Sequence, residues 1–232
     1  MEQGRISEMK TTLVIPTMNE IDGMRKIMPR IKKEWVDQIL IVDGGSKDGT
    51  IEYAKENKYE IMVQKTKGIG NGYMEALPLI RGDVIITFSP DGNSVPERIP
   101  EVVEKMKEDY DLLIVSRYLL GAKSYDDDFF TRIGNKIFTK TINLLFGGRY
   151  TDSLVIFRAY KKSLISDLKI DAEHMTFEEQ ISIRAAQKKL KITEIPGDEP
   201  PRIGGERKIR ILKTGYTLWM EIFKNFFNPK VR

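Results

Sequence analysis

Asp83-Val84-Ile85-Ile86-Thr87-Phe88-Ser89-Pro90-Asp91-Gly92-Asn93-Ser94-Val95-Pro96 is the stretch on which the reading of this chain turns. Residues 83–88 form an apolar run with the length of a buried parallel strand. A carboxylate at the carboxyl end of such a strand points into the crevice where open α/β sheets bind ligands. Asp91 and Asn93 stand two residues apart in the turn and offer oxygens to one hard cation. The competing reading is an Asp-Gly/Asn turn that only caps the helix after Pro96. The flanking sequence decides between the two.

Toward the N-terminus, Thr11-Thr12-Leu13-Val14-Ile15 reads as a β-branched strand stopped by Pro16, and Gln38–Val42 and Glu60–Val63 as two more. Helices are expected after each: one with Ile21, Met24, Ile27, Met28 and Ile31 at helical spacing, one N-capped by Asp48, and one opening at Lys67-Gly68-Ile69-Gly70 toward Ile80. Toward the C-terminus the pattern predicts a helix over 97–108, a strand over 111–115, a helix over 129–146, a strand over 154–157, a helix over 176–189 and a strand over 190–195. Strands alternating with helices imply βαβ units, a mostly parallel Rossmann-like central sheet and flanking helices. In the first half every polar or Gly-bearing turn falls at a strand's carboxyl end, which places one ligand site along that rim. Pro16-Thr17-Met18-Asn19 replaces the G-x-G-x-x-G of a dinucleotide site, and no G-K-[ST] ending marks a Walker loop.

Bulk composition narrows the classes further. The chain has 232 residues, 41% apolar and 31% charged, enough for one large domain with a substantial core. Its net charge of +4 is dispersed over 38 bases and 34 acids, which argues against a nucleic-acid partner. With no cysteine, disulfides and thiolate metal sites are excluded and a cytoplasmic location is permitted. The polar start carries no secretory signal, and no apolar run approaches the ~20 residues of a spanning helix. Any membrane contact is therefore expected to be peripheral, on the cytoplasmic face.

The motif order Ile15-Pro16-Thr17-Met18-Asn19-Glu20, Val42-Asp43-Gly44-Gly45-Ser46-Lys47-Asp48-Gly49-Thr50, Gly68-Ile69-Gly70 and Ser89-Pro90-Asp91 resembles family 2 glycosyltransferases of the GT-A fold. Ser116-Arg117-Tyr118, the helix near Asn135, Asp152 with Phe157-Arg158-Ala159-Tyr160, and Arg202-Ile203-Gly204-Gly205 are similar to the dolichyl-phosphate mannose synthase branch. The resemblance covers residues 10–212 or so. It implies an inverting transfer of a hexose from a GDP- or UDP-linked sugar to a polyprenyl phosphate, with Mg2+ or Mn2+ as cofactor. Two departures stand out. Ser89 holds the place of the family's first metal-motif Asp, and Asp43-Gly44-Gly45-Ser46 replaces Asp-Asp-Gly-Ser.

Residue roles follow from that resemblance and from the chemistry. Asp91 and Asn93 are the expected metal ligands; Pro16, Thr17, Glu20, Asp43 and Lys67 the expected nucleotide pocket. A phosphate acceptor is already anionic and needs no obligatory base, so its site should show cations: Arg117, Arg132, Arg202, Arg207 and Lys208. Were a base required, Asp152 is the first candidate, with Glu178 and Glu179 held for a rival enzyme that glycosylates a soluble hydroxyl. His174 reads as a surface or capping residue, and Asp126-Asp127-Asp128 as a solvated loop. The further alternatives are a non-catalytic nucleotide-sugar-binding protein, motivated by Ser89, and a nucleotidyltransferase, whose Gly-rich N-terminal loop is missing. The expected organisation is a tail at 1–10, a catalytic domain at 11–212 with nucleotide (11–95) and acceptor (96–212) halves, and an amphipathic helix at 213–232. Trp219, Ile222, Phe223 and Phe226 are expected to share one face of that helix, facing a membrane surface, the domain or a homodimer partner.

Overall fold

The computed structural model describes residues 9–204 and 211–227. Seven strands form one sheet: β1 (Thr11–Thr17), β2 (Gln38–Asp43), β3 (Glu60–Val63), β4 (Val84–Thr87), β5 (Leu112–Ser116), β6 (Arg158–Lys161) and β7 (Ile192–Pro196). Their order is β3-β2-β1-β4-β6-β5-β7. All neighbours are parallel except β6, which runs antiparallel to both β4 and β5. That inserted strand joins the two halves of the chain into one sheet. Each parallel strand therefore ends at the same rim, and the turns after β1, β2, β4 and β5 gather there.

Successive strand residues point to opposite faces, and both faces are buried. Val14, Leu40, Ile85, Leu112 and Ile114 face one core, with α3 (Ile69–Ala76), α5 (Phe129–Phe146), α7 (Phe177–Gln187) and α8 (Ile211–Phe227). Leu13, Ile15, Ile41, Ile86 and Leu113 face the other, with α1 (Ile21–Ile27), α2 (Thr50–Glu56) and α4 (Ile99–Met106). A short α6 (Leu164–Asp167) completes the set.

Two expectations need correcting. The strand read at 154–157 lies at 158–161 instead. Two carbonyls before it are taken elsewhere, Val155 O by the Arg158 side chain and Ile156 O by Thr87 Oγ1 at 2.6 Å, and pairing with β5 reaches back only to Phe157 O, which accepts from Val115 N at 3.0 Å. The N-cap position of α2 is Gly49, at φ +98°, not Asp48. Asp48 still acts there, accepting from Thr50 N at 3.1 Å and from Ile21 N at 3.0 Å, and so ties the starts of α1 and α2 together.

Candidate active site

The turns after β1 and β2 are stitched to each other. Thr17 pairs with Asp43 in the ladder, and its Oγ1 donates to Asp43 Oδ2 at 2.7 Å. Ser46 Oγ donates to the same oxygen at 2.6 Å, while Gly45 N and Ser46 N donate to Oδ1 at 2.8 and 2.7 Å. A carboxylate offers about four lone-pair positions, and these bonds occupy them. Asp43 is fully enclosed. Asp43, expected against a nucleotide, braces the turn at that rim. Thr17 and Glu20 are buried beside it, Pro16 is half-buried and Lys67 is exposed before α3.

The turn after β4 builds a second corner. Asn93 N donates to Asp91 Oδ1 at 3.0 Å, and Arg202 forms an ion pair with Asp91 Oδ2 at 3.0 Å. Asn93 Nδ2 donates to Asp126 Oδ2 at 3.0 Å, so Asp126 is no solvated loop residue. Ile203 N donates to Asp91 O at 2.9 Å, and Ile203 sits where a side chain on Gly92 (φ +93°) would be, 2.5 Å from its Cβ position. Gly204 packs on Asp22 of α1 in the same way. From below, Gly23 of α1 lies against the Pro90 carbonyl, which would be 2.3 Å from any Cβ there. Residues 202–204 form a strap across α1 and the Asp91 turn. Beneath it is a cavity of about 130 Å3, lined by Ser89, Asp91, Asn93, Arg117, Asp126 and Arg202 among others.

The third part is a buried charge cluster after β5. Arg117 Nε and a terminal nitrogen bind the two oxygens of Asp152 at 2.6 and 3.0 Å, and the other terminal nitrogen reaches Glu199 at 3.1 Å. Asp127 lies 3.6 Å from the same group and also accepts from Tyr118 OH and Asn135. Burial works against charge on Asp152, but the Arg117 guanidinium outweighs it and holds the carboxyl below the usual range. The roles expected of both residues change accordingly. Asp152 is fully buried and bidentately paired, unsuited to take a proton as a base. Arg117 lines the cavity with its guanidinium committed to acids, not as an open phosphate ligand. Burial pushes the Glu199 carboxyl up, only partly offset by Arg117.

Of the remaining expected residues, Arg132 stands on exposed α5 with a bond to Ser124 O at 3.0 Å. Arg207 and Lys208 lie outside the described residues. Glu178 and Glu179 are buried in α7 and do not line the cavity, which removes the structural support for a base there. Asp126 and Glu199 were not anticipated. Their partners lie 33 to 82 residues away, and no local pattern encodes that. A larger groove, of about 1740 Å3, opens at the opposite ends of the strands. Its Lys107, Lys161 and Arg81 are paired with acids or lie on the outside of the sheet, away from every motif above.

A divalent cation can be tested against this donor set. No group of three acids or histidines able to hold a metal occurs among the described residues. Asn93 Oδ1, however, is a buried oxygen with no hydrogen-bond partner, two residues from the Asp91 carboxylate on the same cavity. Two hard oxygens fit Mg2+ or Mn2+ when substrate and water complete the shell. Arg202 is the competitor for Asp91.

An α/β sheet of this order, with an acidic turn after its fourth strand, is the GT-A glycosyltransferase architecture. The chain belongs to glycosyl transferase family 2, whose model matches residues 12–169. It is 24% identical over 217 residues to glycosyltransferase AglJ of Haloferax volcanii, covering 91% of this chain and 70% of that protein. It is 28% identical over 212 residues to the dolichol-phosphate mannosyltransferase of Pyrococcus furiosus, covering 87% of this chain and 60% of that one. Among solved structures, glucosyl-3-phosphoglycerate synthase from Mycobacterium tuberculosis with Mn2+, UDP and phosphoglyceric acid superposes with a TM-score of 0.76. It is 16% identical, over 96% of this chain and 80% of that one. This chain is a glycosyltransferase.

Proposed function

We propose that the protein transfers a hexose, with inversion, from a GDP- or UDP-linked sugar to a polyprenyl phosphate of the dolichyl type. The reading rests chiefly on one observation: Asp152, the acid expected to act as a base, is sealed against Arg117, while Arg117 and Arg202 both line the cavity at the Asp91 corner. A hydroxyl acceptor has to lose a proton to a positioned base. A phosphate monoester attacks as an anion and asks only for cations to hold it. Arg202, Arg132, Arg207 and Lys208 are the residues proposed to hold phosphates, with Arg117 fixing the wall beside them. Thr17, Glu20 and the turn braced by Asp43 are proposed to receive the nucleotide, with Pro16 and Lys67 at its edge.

Asp91 and Asn93 are the proposed ligands of the divalent cation. When bound, it supplies the positive charge that a departing nucleoside diphosphate requires. Arg202, which pairs with Asp91 here, would offer its guanidinium to phosphate oxygens at the same corner. The proposed location is the cytoplasm, at the membrane surface where a lipid acceptor resides. No described helix is long and apolar enough to cross a membrane.

The test is to incubate the full chain with labelled GDP-mannose or UDP-glucose, with Mn2+ or EDTA, and with a short polyprenyl phosphate or soluble sugars. Labelled lipid formed only with the cation is expected. Product on soluble hydroxyls alone overturns the reading. Isothermal titration of GDP and UDP adds a second arm: tighter binding with Mn2+ that is lost in Asp91→Ala.

A further inference from the structure

The outer faces of α5 and α8 are unusual for a protein surface. Phe129 and Phe130 are 71% and 77% exposed, and Leu144 is 83% exposed. Phe129, Ile133, Ile137 and Leu144 recur at helical intervals and share the side of α5 that points away from Phe138, Ile142 and Phe146. Arg132, Lys136 and Lys140, four residues apart, run beside that strip, and α5 carries no acid in its eighteen positions.

α8 has the same construction. Its expected single aromatic face is in fact split. Leu218, Ile222 and Asn225 are buried against the domain, whereas Tyr216, Met220, Phe223 and Phe227 stand outward. Its single acid among the described residues, Glu221, is buried. Ring contacts connect the two helices: Phe138 to Trp219 at 5.2 Å and Phe146 to Phe226 at 6.4 Å. The patch also adjoins the reaction corner. Asp126, which binds Asn93, is three residues before Phe129, and Leu120 and Tyr125 of the same loop are exposed.

We infer that the outer faces of α5 and α8, with the loop before α5, form a single surface that lies on an anionic lipid bilayer. Large exposed aromatic and aliphatic side chains enter the headgroup–acyl boundary, and the lysines beside them meet anionic headgroups. The charge of the exposed α5 strip is what selects a bilayer over a second copy of the chain: the strip is all basic, and of the acids in the loop before it Asp126 and Asp127 are bonded to Asn93 and Tyr118 while Asp128 caps the helix. Two copies would set Arg132, Lys136 and Lys140 against one another, and like charges across an interface are unfavourable. The inference extends the polyprenyl-phosphate reading, since it brings the lipid's own surface to the mouth of the site. It adds α5 to the helix that the sequence singled out.

Vesicle flotation of the full chain tests it without donor or acceptor, so this inference and the proposed reaction can fail separately. Vesicles of phosphatidylcholine with phosphatidylglycerol should carry the protein up the gradient, and phosphatidylcholine alone should carry much less. High salt should release it. Phe129→Ser/Phe130→Ser should lower the partition coefficient by more than about tenfold. Lys136→Glu/Lys140→Glu removes two cations worth about fivefold each and should lower binding to anionic vesicles only. All four residues are exposed, so melting temperatures should stay near the wild type. Absence of flotation, or flotation unchanged in both double variants, overturns the inference. So does a concentration-dependent dimer in sedimentation equilibrium that Phe129→Ser/Phe130→Ser dissolves, since that gives the face to a second copy.

Discussion

Arg158 is fully buried and Arg117 largely so, its side chain 13% exposed, and the protein has solved the problem each poses in a different way. Arg117 is matched by carboxylates: Asp152 bidentately, Glu199 at 3.1 Å and Asp127 close by. Arg158 donates mainly to backbone oxygens, Val155 O at 2.8 Å, Glu178 O at 2.8 Å and Ser153 O at 3.2 Å, and to Ser182 Oγ at 3.1 Å. Burial lowers the pKa of Arg158, against a partial pull from Glu178, whereas at Arg117 the acids outweigh burial and raise it. The contrast separates a scaffold arginine from a site arginine. Arg158 cross-links the 153–155 turn to α7 and has only fixed dipoles as its direct partners. Arg117 sits in a set of titratable groups on the cavity wall, where a bound anion can rebalance the charges.

The largest expected effect is at Arg158. Arg158→Ala empties a fully buried side-chain site, leaves Val155 O without its donor and takes one donor each from Glu178 O and Ser153 O, and should cost about 3–5 kcal/mol in equilibrium urea unfolding. A loss under about 1 kcal/mol would dissolve the distinction. Arg117→Ala should cost about 3 kcal/mol, because it strands the Asp152 charge. Adding Asp152→Asn to that variant should then recover about half of the loss, whereas no acid substitution should rescue Arg158→Ala. A double-mutant cycle measures both.

The pair also has a pH signature. Asp152 titrates below its ordinary value of 3.8 in the fold, so its stabilising contribution is complete above the unfolded value and disappears as the pH falls through the folded one. The stability gap between wild type and Asp152→Asn should be constant near neutrality and close below about pH 4. A gap that does not narrow as the pH falls below about 4 would contradict the ionised pair. The smallest effect has the opposite sign. Glu179 is buried with both carboxylate oxygens unpartnered, and burial, with Glu221 beside it, pushes its pKa well up. An acid with a raised pKa favours the fold at low pH and costs stability as pH rises through the folded value. Glu179→Gln should therefore stabilise the protein by about 1 kcal/mol at pH 7 and by nothing near pH 4.

Much of the scaffold was readable in the residues. Alternating apolar strands with turn signals at their carboxyl ends predicted the sheet, and 129–146 matches α5 at both ends because Asp128 caps its start and Gly147 its end. The antiparallel β6 was misplaced by four residues, since nothing local shows that side chains would claim the carbonyls at 155 and 156. Asp91 and Arg202 stand out as candidate residues from their turns alone. That Arg202 sits on Asp91, that Asp126 bridges to Asn93 and that Asp152 is closed off by Arg117 depended on pairings across the sheet, invisible in short windows.

Gly23 gives the site its gauge. With no side chain between them, α1 and the Pro90 carbonyl sit at backbone contact, and Glu20, Asp22 and Asp91 keep a fixed spacing. The strap reaches across that spacing, Gly204 on Asp22 and Arg202 on Asp91. A ligand lying along this rim would be measured from one end to the other. A single methyl at position 23 would press on the Pro90 carbonyl and the Asp91 backbone and so lengthen the ruler.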